Sequence, residues 1–177
     1  SGSIDAVTTW NPLLNEILQQ PSANKVFDSS QIPGEIMDLL VVNTDTLKAN
    51  PKLGKALVGA WYEIMDAMSA QDEAGKAVRT AMGKASGTDL AGYDSQLAST
   101  KMFYKPSDAL ALVNSDELLS TMEKVAEFSF DHGLLGEGAP DAGFIGIEGP
   151  NGLYGNSANT KLRFDTTYMQ MAADGKL

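Results

Sequence analysis

Strand patterns are few in this chain and helical patterns are many, and this imbalance most constrains its fold. Residues 4–9, 25–27 and 36–42 are extended apolar stretches, and only the third has the length and composition of a buried strand. Three strands make a poor sheet by themselves. The sequence therefore predicts a helix-rich α/β protein whose sheet needs further strands, which are missing here or belong to another chain.

Helical periodicity is clearest from Pro51 to Met68, where apolar residues recur at spacings of 3, 4 and 7 for over four turns. We expect this helix to pack through Trp61 on an interior strand formed by Ile36–Val42. Other helices are predicted over residues 12–20, 72–85, 106–113, 115–130 and 162–173, and a short one begins near Thr88.

Glycine recurs through residues 134–160, together with Pro140 and Pro150. Glycine and proline at this density are typical of loops. This region is therefore predicted to be an ordered loop or an extended arm without packed elements of its own.

Charge and composition exclude several classes of partner. The 177 residues include 23 acidic and 13 basic side chains, which give a net charge of −10. An acidic surface repels phosphate backbones, so nucleic acid is not an expected partner. Apolar runs stay well below the roughly 20 residues that span a bilayer, so membrane insertion is not expected either.

Catalytic and metal-binding chemistry finds little support in the sequence. Cysteine is absent, and His132, the single histidine, is predicted to lie at the end of a helix, where its charge suits the helix dipole. The acidic pairs Asp72-Glu73 and Asp116-Glu117 fall at predicted helix starts and lack the spacing of a calcium loop. We expect no catalytic residue, metal or cofactor.

Polar side chains follow two of the predicted strands. Asp5, Thr9 and Trp10 lie in and just after the first strand, and Asp28 and Ser29 follow the second. Polar and aromatic groups at strand ends form the ligand clefts of open α/β sheets. Two alternatives remain open: Trp10 is a core indole, and Asp5 is a turn carboxylate.

Two stretches together carry a resemblance to a known family. Residues 3–12 (SIDAVTTWNP) resemble a landmark of the solute-binding proteins for sulfonate, taurine, nitrate and thiamine precursors. Residues 40–43 (LVVN), 47–51 (LKANP) and 57–62 (LVGAWY) resemble the next landmark, a strand followed by a helix, in the same order and at similar spacing. The similarity covers about residues 3 to 65.

The resemblance implies the C-terminal part of a two-lobed, type II periplasmic-binding-protein-like fold. Residues 1–30 would finish the second lobe, residues 31–35 would cross between the lobes, and residues 36–177 would complete the first lobe with its helical tail. The chain would then be the exported, periplasmic or cell-surface binding component of an ABC importer. Its partners would be a small-molecule ligand, the transporter permease and the N-terminal half of the same fold.

Two further stretches, residues 128–136 (FSFDHGLLG) and 162–165 (LRFD), are similar to a narrower branch encoded beside urea carboxylase-like enzymes. That branch implies a urea- or guanidine-like ligand, for which carboxylates are the matching acceptors. Our order of preference is Glu35, then Asp28, then Asp5, with Trp10 as a stacking face and Ser29 and Thr9 beside them. Alternatively, all three acids are turn or capping groups and the rest of the fold supplies the acceptors.

Other functions stay open at this point. A sulfonate-, taurine- or nitrate-type binder and an enzyme similar to a thiamine-precursor synthase would have the same architecture. A purely helical interaction module is the third alternative.

Overall fold

The computed structural model describes residues 4–177, so Ser3, the first residue of the resembling stretch, lies outside the described part. The described chain is a helix-rich α/β fold with a small mixed sheet. Its helices are α1 (Leu13–Leu18), α2 (Thr44–Ala49), α3 (Pro51–Ser69), α4 (Glu73–Ala85), α5 (Leu90–Ala98), α6 (Pro106–Val113), α7 (Glu117–Asp131) and α8 (Thr167–Ala173). Its strands are β1 (Gly146–Gly149), β2 (Gly152–Tyr154) and β3 (Thr160–Arg163).

Two compact units divide the chain. Unit 1 consists of the described part of Ser1–Asp28 together with Glu63–Tyr104. Unit 2 consists of Ser29–Tyr62 and Lys105–Leu177. Each unit is described by itself below.

Unit 1 is built from short helices whose starts are set by aspartate caps. The side chain of Asp72 accepts a hydrogen bond from Gly75 N at the start of α4, and that of Asp89 accepts one from Gly92 N at the start of α5. Such caps satisfy backbone N–H groups that have no partner inside the helix. Helix α5 is therefore capped by Asp89, one residue after the predicted start near Thr88.

Unit 2 has its core between helices and the sheet. Val113, Leu118, Met122 and Ile147 form a buried cluster, and partly buried residues including Met37, Phe164 and Met169 pack against it. Strand β1 is the central strand, antiparallel to β2 and parallel to β3. The inward side chain of Ile147 on β1 is what joins the sheet to α6 and α7.

The prediction of a loop over residues 134–160 is wrong in its second half, which contains β1 and β2. Glycine has a packing role here: a Cβ on Gly146 would lie 2.5 Å from the carbonyl oxygen of Asn156. Glycine is needed where two backbones approach this closely. The predicted helix over residues 162–173 is wrong at its start, because Leu162 and Arg163 belong to β3, and is confirmed from Thr167, where α8 begins.

The three predicted strands are also not strands of the described structure. Residues 4–9, 25–27 and 36–42 have no regular secondary structure, and none of them pairs in the sheet that the described residues form. Ile36 is 69% exposed and Val41 is 74% exposed, and Trp61 on α3 is 44% exposed. The expected packing of α3 through Trp61 on an interior strand is therefore wrong here, because an isolated strand has no sheet to bury it.

Predictions based on local signals are confirmed. Helices α3, α4, α6 and α7 lie where their periodicity indicates, and α1 (Leu13–Leu18) lies within the predicted residues 12–20. Helix α7 ends before Gly133, which has a φ of +70°. His132 lies at that end, with Nδ1 2.8 Å from the carbonyl oxygen of Phe128 and its ring stacked on the Phe128 ring.

Candidate functional site

Unit 2 contains an open groove that has the size and the mixed lining of a ligand site. Its volume is about 570 Å³, which falls within the range of roughly 300–1,000 Å³ that is typical of ligand pockets. We call it the unit 2 groove. It is lined by Val42, Thr44, Leu47, Lys48, Pro51, Glu148, Gly149, Pro150, Arg163, Phe164, Asp165, Thr166 and Tyr168.

Sheet register places two opposite charges side by side in this groove. Glu148 on β1 is the registered partner of Arg163 on β3, and Arg163 Nε lies 3.1 Å from Glu148 Oε2. Both side chains are about half exposed, so the attraction is screened by water and modest in energy. The pair is nevertheless held in one place, because the ladder continues with Phe164 N donating to the carbonyl oxygen of Glu148.

Two further charges line the groove and have no ion-pair partner among the described residues. Lys48, on α2, is exposed. Asp165 uses Oδ1 to accept a hydrogen bond from Thr167 N at 2.9 Å, at the start of α8, and its other oxygen has no such bond. The Lys48 ammonium group and the Asp165 carboxylate form no ion pair with each other. The groove therefore offers one cation and one anion that a ligand can engage.

Tyr168 forms an aromatic wall of the unit 2 groove, and Gly54 leaves room for its ring. The ring of Tyr168 lies directly against Gly54 in α3, and a Cβ at Gly54 would overlap it. Glycine inside a helix costs about 1 kcal/mol relative to alanine, so its presence here indicates a packing reason. The missing side chain of Gly54 is what leaves room for the Tyr168 ring.

Unit 1 contains a smaller cavity of about 290 Å³ around Arg79, lined also by Met68, Gln71, Asp94, Leu97 and Tyr104. Arg79 is almost buried, with 11% of its side chain exposed. Its Nε donates to Asp94 at 2.9 Å, and its Nη1 donates to the carbonyl oxygens of Met68 at 2.8 Å and Ala70 at 2.7 Å. These bonds satisfy carbonyls just at and beyond the end of α3, which makes the arginine a structural tie between helices.

Three tyrosines have perturbed acidities. Burial raises the pKa of Tyr62, and the nearby carboxylate of Asp108 raises it further. Burial likewise raises the pKa of Tyr93 and of Tyr154. These phenols stay neutral at neutral pH, and none of the three lines either cavity.

The residues predicted to bind ligand are divided between the two units. Asp5, Thr9, Trp10 and Asp28 belong to unit 1, and Ser29 and Glu35 belong to unit 2. None of the six lines the unit 2 groove or the Arg79 cavity.

Trp10 is 82% exposed and so presents its indole to solvent. Asp28 forms an ion pair with Lys25, and Glu35 is half-buried. The core-indole alternative for Trp10 is therefore wrong in this structure.

Sequence reasoning missed the groove residues Lys48, Glu148, Arg163 and Asp165 as a group. Lys48 lies in residues 47–51, and Arg163 and Asp165 lie in residues 162–165, two stretches that carry the family resemblance. The pairing of β1 with β3, which places Glu148 beside Arg163, is not visible in the sequence. Gly54, within the helical pattern of α3, was a usable sequence signal of close packing, because Tyr168 of α8 packs against it.

Comparisons with known proteins add no relative to this description. The chain matches no family model, no curated protein and no solved structure.

Across residues 4–177, no helix combines the length and the apolarity that crossing a membrane demands. The same residues contain no cluster of three or more His, Asp or Glu side chains that could hold a metal ion.

Proposed function

We propose that this chain is part of the solute-binding component of an ABC importer, with a type II periplasmic-binding fold that captures a urea- or guanidine-like solute between two lobes. The proposal rests on the resemblance of residues 3–65 to such binding proteins and of residues 128–136 and 162–165 to their urea carboxylase-associated branch. Its partners are then the N-terminal half of the same fold and the transporter permease, outside the cytoplasmic membrane.

One structural observation supports the proposal most. Residues 36–42 have the sequence of a buried strand, yet they form no strand and are largely exposed in the described chain. Apolar residues of this kind are stabilised when neighbouring strands cover them. A larger sheet to which this segment contributes a strand accounts for both the composition and the exposure.

The proposed ligand contacts follow from charge and exposure. Carboxylates are the strongest acceptors for paired N–H groups, so Glu35, Asp28 and Asp5 would receive the N–H groups of the solute. Trp10 offers an exposed ring for a planar cation, which aromatic faces attract by about 0.5–2 kcal/mol. Ser29 and Thr9 would supply hydroxyl groups beside these contacts.

Calorimetric titration with guanidine, urea and taurine tests the proposal. In the gene-encoded polypeptide that contains this chain, we expect one-to-one binding of guanidine or urea. Glu35→Gln and Asp28→Asn should each weaken it by about tenfold or more, as expected for a lost charge-assisted hydrogen bond. The matched control is Asp66→Asn, because Asp66 is an exposed acid on α3 with no proposed contact.

The 177-residue chain by itself should bind guanidine and urea weakly or not at all, since affinity in such clamps comes from enclosing the ligand on both sides. Tight binding of either solute by the isolated chain would contradict the two-lobe proposal. A preference for taurine would favour a sulfonate binder instead, because a sulfonate requires N–H donors and not carboxylates.

A further inference from the structure

We infer that the unit 2 groove is a binding site for a small zwitterionic solute with an apolar side chain, of the chemical class of a hydrophobic amino acid. This inference goes beyond the proposed function. The groove lies wholly within unit 2 and contains none of the six residues proposed to hold the urea- or guanidine-like solute.

The charges of the groove point to a ligand that carries both signs. Glu148 and Arg163 pair with each other, whereas Lys48 and Asp165 have no ion-pair partner among the described residues. A carboxylate on the ligand would meet the Lys48 ammonium, and an ammonium on the ligand would meet the free oxygen of Asp165. Charge-assisted hydrogen bonds of this kind are about twice as strong as neutral ones.

The net charge of the protein favours the same ligand class. The net charge of −10 disfavours the approach of simple anions at long range. A zwitterion has no net charge and escapes this repulsion, while its two ends still form local contacts.

The remaining lining of the groove suits an apolar body. Val42, Leu47, Pro51, Pro150, Phe164 and Tyr168 contribute apolar surface, and Gly54 holds open the space that the Tyr168 ring occupies. Pockets that combine such walls with a few placed polar groups are the usual form of small-molecule sites.

Four probes separate the contributions of the ligand's ammonium, carboxylate and apolar side chain to binding. L-Phenylalanine carries both charges and the ring, 3-phenylpropionate lacks the ammonium, phenethylamine lacks the carboxylate, and glycine lacks the apolar body. Their dissociation constants for the 177-residue chain are measured by ligand-observed NMR, which is suited to weak binding. We expect L-phenylalanine to bind most tightly, with 3-phenylpropionate and phenethylamine weaker by about tenfold, the factor that one lost charged hydrogen bond corresponds to. Glycine should also bind more weakly, because it has no apolar side chain to bury in the groove.

Two substitutions test the assigned contacts. Lys48→Gln should weaken L-phenylalanine and 3-phenylpropionate about tenfold and leave phenethylamine unchanged. Asp165→Asn should weaken L-phenylalanine and phenethylamine and leave 3-phenylpropionate unchanged. Asparagine keeps the oxygen that accepts from Thr167 N, so the start of α8 is preserved.

Matched controls are Lys52→Gln and Asp131→Asn, two exposed charges outside the groove lining. Equal affinity for L-phenylalanine and 3-phenylpropionate would overturn the zwitterion assignment. Effects of Lys48→Gln and Asp165→Asn no larger than those of the controls would overturn the site. Neither result bears on guanidine or urea binding by the complete two-lobed protein, so the two proposals fail independently.

Discussion

Gly54 and Gly59 of α3 differ in how closely other residues approach them. Substitution by alanine should therefore change the free energy of unfolding in opposite directions at the two positions. Alanine at either position gains about 1 kcal/mol of helix propensity. At Gly59 the new Cβ would meet only Leu177 Cδ1 at 3.8 Å, an ordinary contact, so Gly59→Ala should raise the free energy of unfolding by up to about 1 kcal/mol.

At Gly54 the new Cβ would overlap the Tyr168 ring, and displacing a packed side chain costs about 1–3 kcal/mol. We therefore expect Gly54→Ala to lower the free energy of unfolding, measured by urea denaturation beside Gly59→Ala. If both variants are equally stabilised, the Tyr168 ring does not pack where we describe it.

At the scale of elements, Arg79 connects three helices of unit 1 through one side chain. It lies on α4, donates to Asp94 on α5, and donates to the carbonyl oxygens of Met68 near the end of α3 and Ala70 just beyond it. Arg79→Met should lower the free energy of unfolding by about 3 kcal/mol, because it removes three hydrogen bonds and leaves part-buried acceptors unpaired.

Lys76→Gln is the matched control on the same helix. Lys76 is exposed and lies 3.8 Å from Glu73, and such surface pairs contribute at most about 1 kcal/mol. Arg79→Lys separates charge from geometry, since lysine keeps the charge but cannot form the planar fork. Full stability in Arg79→Lys would show that the charge alone matters.

At the scale of the whole molecule, most of the exposed large apolar side chains of the described residues lie between residues 4 and 41. Trp10, Val26, Ile36 and Val41 are each more than two thirds exposed. Unpaired extended segments with apolar side chains promote association through their edges. We expect the isolated chain to self-associate with increasing concentration, as measured by sedimentation velocity.

The double substitution Ile36→Lys with Val41→Lys should suppress this association, because charged side chains protect exposed edges. Leu134→Lys is the control, since Leu134 is 69% exposed but lies after α7, outside residues 4–41. A chain that stays monomeric at all concentrations, or equal suppression by Leu134→Lys, would contradict the expectation.

Much of the helical structure could be predicted from local sequence. The periodicity of α3, the Asp72 cap of α4 and the glycine that follows α7 act within a turn or two of the residues concerned. The strands could not be predicted in this way. Residues 36–42 have strand composition without a partner in the described chain, whereas glycine-rich residues 146–154 form strands because partners lie alongside them.

The candidate groove depends on the tertiary structure for the same reason. The identities of Lys48, Glu148, Arg163 and Asp165 are fixed in the sequence, but their separation along the chain hides that they line one groove. Register between β1 and β3 aligns Glu148 with Arg163, and the Tyr168 ring against Gly54 sets the aromatic wall. Local preferences are encoded over a few neighbouring residues, so the sequence by itself determined most of the helices, the Asp72 cap of α4 and the overall charge. Strand pairing and the composition of a groove depend on contacts between distant residues, so only the tertiary structure decided them.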